Sequence, residues 1–333
     1  MFALSLSGLL LAAAFAEGGL RLFAPVGYRA PRESIKGDAW FGMLNQPSPV
    51  EGLAYELAAD ARWMLWDDVP VLTNSLGMRD DEPRGGGGDA VRIAVLGDSV
   101  TFGVGVPART TYASVLEQKL ESGRESGARP FEVLNFGVSG YSSRDEALVL
   151  EHKALPLGPD LVVIGYVFND PEIDPIQPLH AHFHEPEWWQ SSHLLRLLAK
   201  RSNRRAINDL GGGNYMRYLH HDPRKWGSVL QAFDDIAALS ADFPVVLVIF
   251  PSIPGSADAD WTDYDFGDLH ERVGVAARAA GFGVVDLAEA FSLHPPESLR
   301  VSATDGHPSV SGHTLAAETL AAFLLADPER WLP

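Results

Sequence analysis

No cysteine occurs among the 333 residues. That excludes a disulfide framework, a thiolate zinc site and a Cys nucleophile, so any covalent catalysis falls to Ser, Thr, Lys or a carboxylate. Positive charge is scarce as well: 26 Lys and Arg against 44 Asp and Glu leave a net charge of −18. Bulk charge of that sign opposes nucleic-acid backbones and anionic surfaces, which points to neutral or cationic partners and to no nucleic acid. There are no internal repeats, and the longest apolar run falls short of the ~20 residues of a comfortable membrane span. What is present suffices for a large core: 46% of the chain is hydrophobic and 10% aromatic, which suits one elaborated domain or two smaller ones.

The N-terminal stretch "FALSLSGLLLAAAFA", Phe2 to Ala16, is uncharged and of roughly signal-peptide length. Ala14-Phe15-Ala16 before Glu17 fits a small-residue cleavage rule, while Leu20 to Val26 can extend the run into an anchor. Residues 1–26 are therefore expected to be a signal peptide or an N-terminal membrane anchor. The protein is then exported, periplasmic or extracellular, with membrane contact through this segment only. The positive n-region is missing, and Arg and Lys follow the run, against the positive-inside rule.

Residues 27–90 are rich in Pro, Gly and Trp without a sustained period and read as an irregular arm, closed by the flexible boundary "RGGGGD" from Arg84 to Asp89. From residue 91 to 333 the pattern changes. Val91–Leu96, Phe131–Phe136, Leu161–Phe168, Phe243–Phe250 and Gly281–Leu287 are short β-branched-rich runs without polar alternation, as in strands buried on both faces of a parallel sheet. Helical patterns separate them. Tyr112, Val115, Leu116 and Leu120 share one face behind a Thr110 or Thr111 N-cap, and further helices cover "WGSVLQAFDDIAAL", "LHERVGVAARAAG" and "SVSGHTLAAETLAAFLL". The alternation predicts a three-layer α/β/α sandwich with about five parallel strands. Residues 171–226 break the rhythm with Pro residues, "HAHFH", "EWW" and "GGGN" and read as an insertion, the kind of long connection that forms a lid or a binding surface.

In open parallel sheets, ligands sit at the carboxyl ends of the strands. Ser99, in "GDS", directly follows the first run, and alone it reads more readily as a turn or N-cap serine than as a nucleophile. A hydroxyl nucleophile needs a base, an acid to orient that base, and donors for an oxyanion. "TDGHPSVSGH" supplies His307 as base and Asp305 as acid, with His313 as the rival base. The donors would be the N–H of Ser99, the N–H of Gly137 in "NFG", where glycine lets backbone approach a substrate closely, and the side-chain amide of Asn169 in "FND". Asp98 reads as a structural cap. His180, His182 and His184 alternate as in a strand and can present three imidazoles to a metal, but no further ligand completes a site, so a solvated loop is the reading. Trp188 and Trp189 fit a sugar-stacking or acyl-contacting platform, or packing of the insertion.

Gly97-Asp98-Ser99, Gly137, Asn169 and Asp305 with His307, in this order, resemble the four blocks of the SGNH, or GDSL, hydrolases over about Val91 to Ala326, and "NSLGMRD" resembles the flank of its exported or anchored subgroup. The resemblance implies a flavodoxin-like fold and hydrolysis of a small acyl ester through an acyl-serine, with an O-acetyl group on carbohydrate as one substrate class. Ser99 would attack, His307 would act as base, Asp305 would orient His307, and Ser99, Gly137 and Asn169 would hold the oxyanion. No metal or organic cofactor is implied. An acyltransferase, a lipase or a thioesterase would use the same site, and a non-catalytic binding or assembly module would keep only the fold. Two positions depart from the family pattern: Thr304 stands where the acid is usual, three before the base, and Val167 stands where the third block has glycine.

Overall fold

The computed structural model describes residues 2–26, 44–64, 69–84, 90–173, 187–255 and 260–332. In chain order, helix α1 (Phe2–Phe23) comes first. Strands β1 (Asn45–Pro47), β2 (Tyr55–Leu57), β3 (Arg62–Met64) and β4 (Pro70–Leu72) follow. Then come β5 (Val91–Gly97), α2 (Ser99–Phe102), α3 (Tyr112–Gly123), β6 (Phe131–Asn135), α4 (Ser143–Val149) and β7 (Leu161–Tyr166). Helices α5 (His193–Gly211), α6 (Tyr215–His221) and α7 (Pro223–Leu239) lead to β8 (Val245–Ile249), α8 (Gly267–Ala279) and β9 (Gly283–Asp286). Helices α9 (Ala288–Ser292), α10 (Pro296–Leu299), α11 (Val310–Ala326) and α12 (Pro328–Trp331) complete the chain. It divides into two compact units: Met1–Ala39 with Asp174–Asp222, and Trp40–Ile173 with Pro223–Pro333.

The larger unit is built on a five-stranded sheet in the order β6-β5-β7-β8-β9, with every pair parallel. All five strands coincide with the apolar runs, because a strand covered on both faces has no reason to alternate. Ile93, Val95, Leu161, Val163, Val246 and Val248 face one layer, where Tyr112, Leu116 and Leu120 of α3 meet Ala316, Leu320 and Leu324 of α11. On the opposite face Phe233 of α7 meets the ring of Tyr166 at 6.3 Å. Thr111 is the N-cap of α3, its hydroxyl accepting the Ser114 N–H. Strand order reverses on either side of β5, so the β5–β7 edge is the topological switch point at which such sheets bind ligands.

The stretch read as an irregular arm contains two small antiparallel sheets, β1–β2 and β3–β4, whose three-residue strands are too short to leave a period in the sequence. Its end is fastened under the first crossover by Arg79, which is 1% exposed. The Arg79 guanidinium donates to the carbonyls of Phe102 (2.8 Å), Gly103 (2.6 Å) and Val106 (2.7 Å) and lies 4.8 Å over the Phe102 ring. Burial lowers its pKa to about 10.

In the smaller unit, α1 packs on α5 through Glu17. Its carboxylate accepts the N–H groups of His193 (3.0 Å) and Leu194 (2.8 Å) and the Ser192 hydroxyl (2.9 Å), occupying the orphan donors of the first turn of α5. The Leu194 N–H is the main cause that holds Glu17 down to about 2. No helix among the described residues is long and apolar enough to cross a membrane.

Candidate active site

Four segments meet at the carboxyl edge of the sheet. The turn leaving β5 places Ser99 at the first position of α2, capped by Asp98, whose Oδ1 accepts the Val100 N–H at 2.9 Å. The helix can follow the strand this closely because Gly97 carries no Cβ: one there would sit 2.0 Å from Thr101 Oγ1. From the other end of the chain, the loop between α10 and α11 brings His307 Nε2 to 2.9 Å from Ser99 Oγ. His307 Nδ1 lies 2.6 Å from Asp305 Oδ1, and the same oxygen accepts the His307 backbone N–H at 3.0 Å.

The unusual spacing of Asp305 is thus met by a tight local turn in which one carboxylate oxygen takes both donors of His307. The hydrogen bond from His307 is the largest cause that holds Asp305 below the usual carboxylate range. An ionised Asp305 only accepts, so the ring proton is on Nδ1 and the Nε2 lone pair faces the Ser99 hydroxyl. Thr304, at the family's usual acid position, is exposed, and its hydroxyl lies 3.4 Å from that of Ser302.

Asn169 sits in the turn after β7 and donates from Nδ2 to Asp98 Oδ2 at 2.9 Å. The Ser99 hydroxyl lies 3.1 Å from the same oxygen. Asp98, fully buried, therefore caps α2, holds Asn169 and touches the Ser99 hydroxyl, which is more than the structural cap expected of it. Val167, in place of the family's glycine, is accommodated by a turn: its N–H reaches Asp170 Oδ2 at 3.2 Å, and the Asp170 N–H returns to its carbonyl at 3.0 Å.

Gly137 has a different task from the one expected. Its N–H is donated to Asn135 Oδ1 at 2.9 Å, and a Cβ there would stand 2.3 Å from the Phe102 backbone nitrogen. The glycine admits the backbone of α2, not a substrate. Asn135 also donates to the Thr101 carbonyl at 2.8 Å, tying the end of β6 to the same helix. Gly140, half-buried with φ +83°, is the second glycine of this loop. His313 is excluded as a base: it is fully buried, its Nδ1 accepts the Tyr112 N–H at 3.1 Å, and burial lowers its pKa to about 3.

Behind Asp98 lie two buried carboxyls without counterparts in the sequence reading. Glu146 and Asp170 are each 1% exposed. Neither oxygen of Glu146 and only Oδ2 of Asp170 finds a partner among the described residues. Burial first, and then nearby negative charge (Asp98 and Asp145 for Glu146, Glu146 and Asp98 for Asp170), push both carboxyls well above the carboxylate range, which favours their protonated forms.

His180, His182 and His184 lie outside the described residues, and no cluster of three His, Asp or Glu suited to a metal occurs among those described. Trp188 is 79% exposed and Trp189 half-buried, both in the smaller unit.

No curated protein matches the sequence. Among solved structures, the chain is similar to a catalytic mutant of Axe2, an acetylxylan esterase from Geobacillus stearothermophilus, at 17% identity and TM-score 0.45, covering 73% of this chain and 95% of that one. It is similar to LAE5, an alpha/beta hydrolase enzyme from the metagenome of Lake Arreo, at 21% and 0.44, covering 72% and 95%. It is also similar to a two-domain esterase (CEX) active on acetylated mannans, at 18% and 0.43, covering 74% and 52%. Residues 95–315 match the model of the GDSL-like Lipase/Acylhydrolase family, a span that runs from β5 through Ser99, Asn169 and His307 into α11. The chain belongs to the GDSL-like lipase/acylhydrolase family, a family of ester-hydrolysing enzymes.

Proposed function

We propose that the protein is a serine esterase that cleaves a small acyl ester through an acyl-serine, with O-acetyl groups on carbohydrate as the substrate class to test first. The observation that carries this reading is the unbroken line from Ser99 Oγ through the His307 ring to Asp305, at 2.9 and 2.6 Å. Ser99 Oγ attacks the ester carbonyl carbon while His307 Nε2 takes its proton, and Asp305 stabilises the imidazolium. The tetrahedral oxyanion receives the Ser99 N–H, which has no acceptor among the described residues, and one hydrogen of the Asn169 amide. Asp98 holds the other Asn169 hydrogen, so the amide is aimed before substrate arrives. With the Gly137 N–H donated to Asn135 Oδ1, the donors assigned to the oxyanion are the Ser99 N–H and the Asn169 amide.

Collapse of the intermediate breaks the bond to the leaving oxygen, which takes the proton from Nε2. His307 then deprotonates a water that attacks the acyl carbon and frees Ser99. An acceptor hydroxyl in place of that water would make the protein a transferase.

The test is fluorophosphonate labelling together with turnover on acetyl, butyryl and long-chain p-nitrophenyl esters and on acetylated xylan and mannan, with and without acceptor sugar. Labelling that is lost in Ser99→Ala, with turnover falling as the acyl chain lengthens, supports the reading. A wild-type protein that never labels points to a binding module. Transfer to the sugar would replace hydrolysis, and preference for long chains or thioesters would replace the small-ester assignment. Full turnover in Asp305→Asn would move the acid's role elsewhere.

A further inference from the structure

We propose that the smaller unit docks the protein on an anionic lipid surface, with the N-terminal half of α1 entering one leaflet and α5 lying among the headgroups. The proposal stands independently of the esterase reading.

Three observations carry it. From Ser7 to Ala16, α1 is exposed at every position but the half-buried Ala13, with Leu9 71%, Leu10 63%, Leu11 61% and Phe15 80% exposed. A helix that is apolar all round is stable only when something apolar surrounds it. The uncharged stretch of α1, Phe2–Ala16, rises about 22 Å, short of a ~30 Å hydrocarbon core, so it can enter from one side, tilted, without spanning.

From Glu17 onward the helix is held by polar contacts. Glu17 caps α5, Arg21 Nη2 donates to the Ser191 carbonyl at 2.9 Å, and the Val26 N–H donates to His193 Nδ1 at 3.0 Å. The start of α5 is therefore fixed to the part of α1 just beyond the apolar half.

The third observation is charge. Lys200, Arg201, Arg204 and Arg205 are exposed on α5, and the first three have no hydrogen bond or ion pair among the described residues. Arg205 pairs only loosely with Asp209, at 3.4 Å. In a chain of net charge −18, a cluster of four exposed cations on the helix that packs against α1 is complementary to anionic headgroups. Trp188, 79% exposed in the turn before α5, suits the headgroup level, where amphipathic rings collect.

Flotation of the full chain with vesicles tests this, using phosphatidylcholine alone or mixed equally with phosphatidylglycerol. The protein is expected to float with the mixed vesicles and to bind roughly tenfold or more weakly to the neutral ones, with salt erasing the difference. Reversing the cluster (Lys200→Glu, Arg201→Glu, Arg204→Glu, Arg205→Glu) should remove the preference. Leu9→Gln, Leu10→Gln, Leu11→Gln and Phe15→Gln together should abolish binding to both. Hydrolysis of a soluble ester, or the unchanged melting temperature if there is none, shows that each variant is folded. Equal binding to both vesicles, no binding to either, or a charge-reversed protein that still prefers the anionic ones overturns the proposal. So does a stable dimer that fails to float, because a second copy would then cover α1.

Discussion

The two units divide the charge of the molecule very unequally. The smaller one holds ten Lys and Arg against eight Asp and Glu, and the larger one sixteen against thirty-six. They also treat apolar surface in opposite ways: β5, β7 and β8 are buried along their whole lengths, whereas the first half of α1 is exposed. The larger unit thus carries a net charge of −20 and the smaller one +2, so a partner class excluded by bulk charge for the whole chain is open again to the smaller one. The larger unit has the constellation that chemistry requires, fixed groups at short range, and the smaller one has the features of a surface.

Substitutions can separate the two roles. Ser99→Ala and His307→Ala should each lower ester turnover by on the order of 10⁴-fold or more while flotation stays unchanged. Steady-state kinetics checks this, and a loss of vesicle binding with activity would dissolve the comparison. Asn169→Ala should cost roughly 10²- to 10³-fold in kcat with little change in KM, because its amide would act on the oxyanion and not on the resting ester.

The next effect is on stability. Lys225 Nζ and Glu172 Oε1 lie 2.6 Å apart with side chains 1% and 3% exposed, and these two residues flank the points where the chain leaves and re-enters the larger unit. Lys225→Met leaves Glu172 buried without this partner and should destabilise by about 3–5 kcal/mol in urea unfolding. The double variant with Glu172→Leu should recover much of that loss.

The smallest effect concerns pH. Glu146 and Asp170 have raised folded pKa values, so folding binds protons at these sites. Their contribution is complete below the ordinary carboxylate range and is lost as pH rises towards their folded values. Glu146→Gln mimics the protonated form and should raise the melting temperature by a few degrees at pH 8 and by less at pH 5. Scanning calorimetry at the two pH values decides, and a larger gain at pH 5 would contradict the assignment.

The parallel sheet was legible because a doubly covered strand writes itself as an unbroken apolar run, and each of the five runs became a strand. Ser99, His307, Asp305 and Asn169 were legible because each lies directly beyond a strand or before a helix, where the fold must bring them to one edge. Gly137 was legible as a necessary glycine, but the reason for it was not: what it admits is α2, a segment 35 or more residues earlier in the chain. Glu146 and Asp170 were hidden because a carboxylate in a sequence looks solvated until its surroundings are known. Arg79 stood in a recognisable "NSLGMRD", yet nothing local says that its guanidinium ends on three carbonyls at the end of α2 and in the loop after it.

By itself, then, the sequence determined the α/β class, the order of the strands along the chain, the nucleophile, base and acid candidates, and the absence of cysteine chemistry. Those follow from period, residue type and short spacing. Only the tertiary structure decided that Asp305 reaches His307 across two residues, that His313 is buried away from Ser99, that Asp98 holds Asn169, and that Glu17 fastens α1 to α5. Each of these rests on side-chain geometry, and most on contacts between segments distant in the chain, which no local pattern encodes.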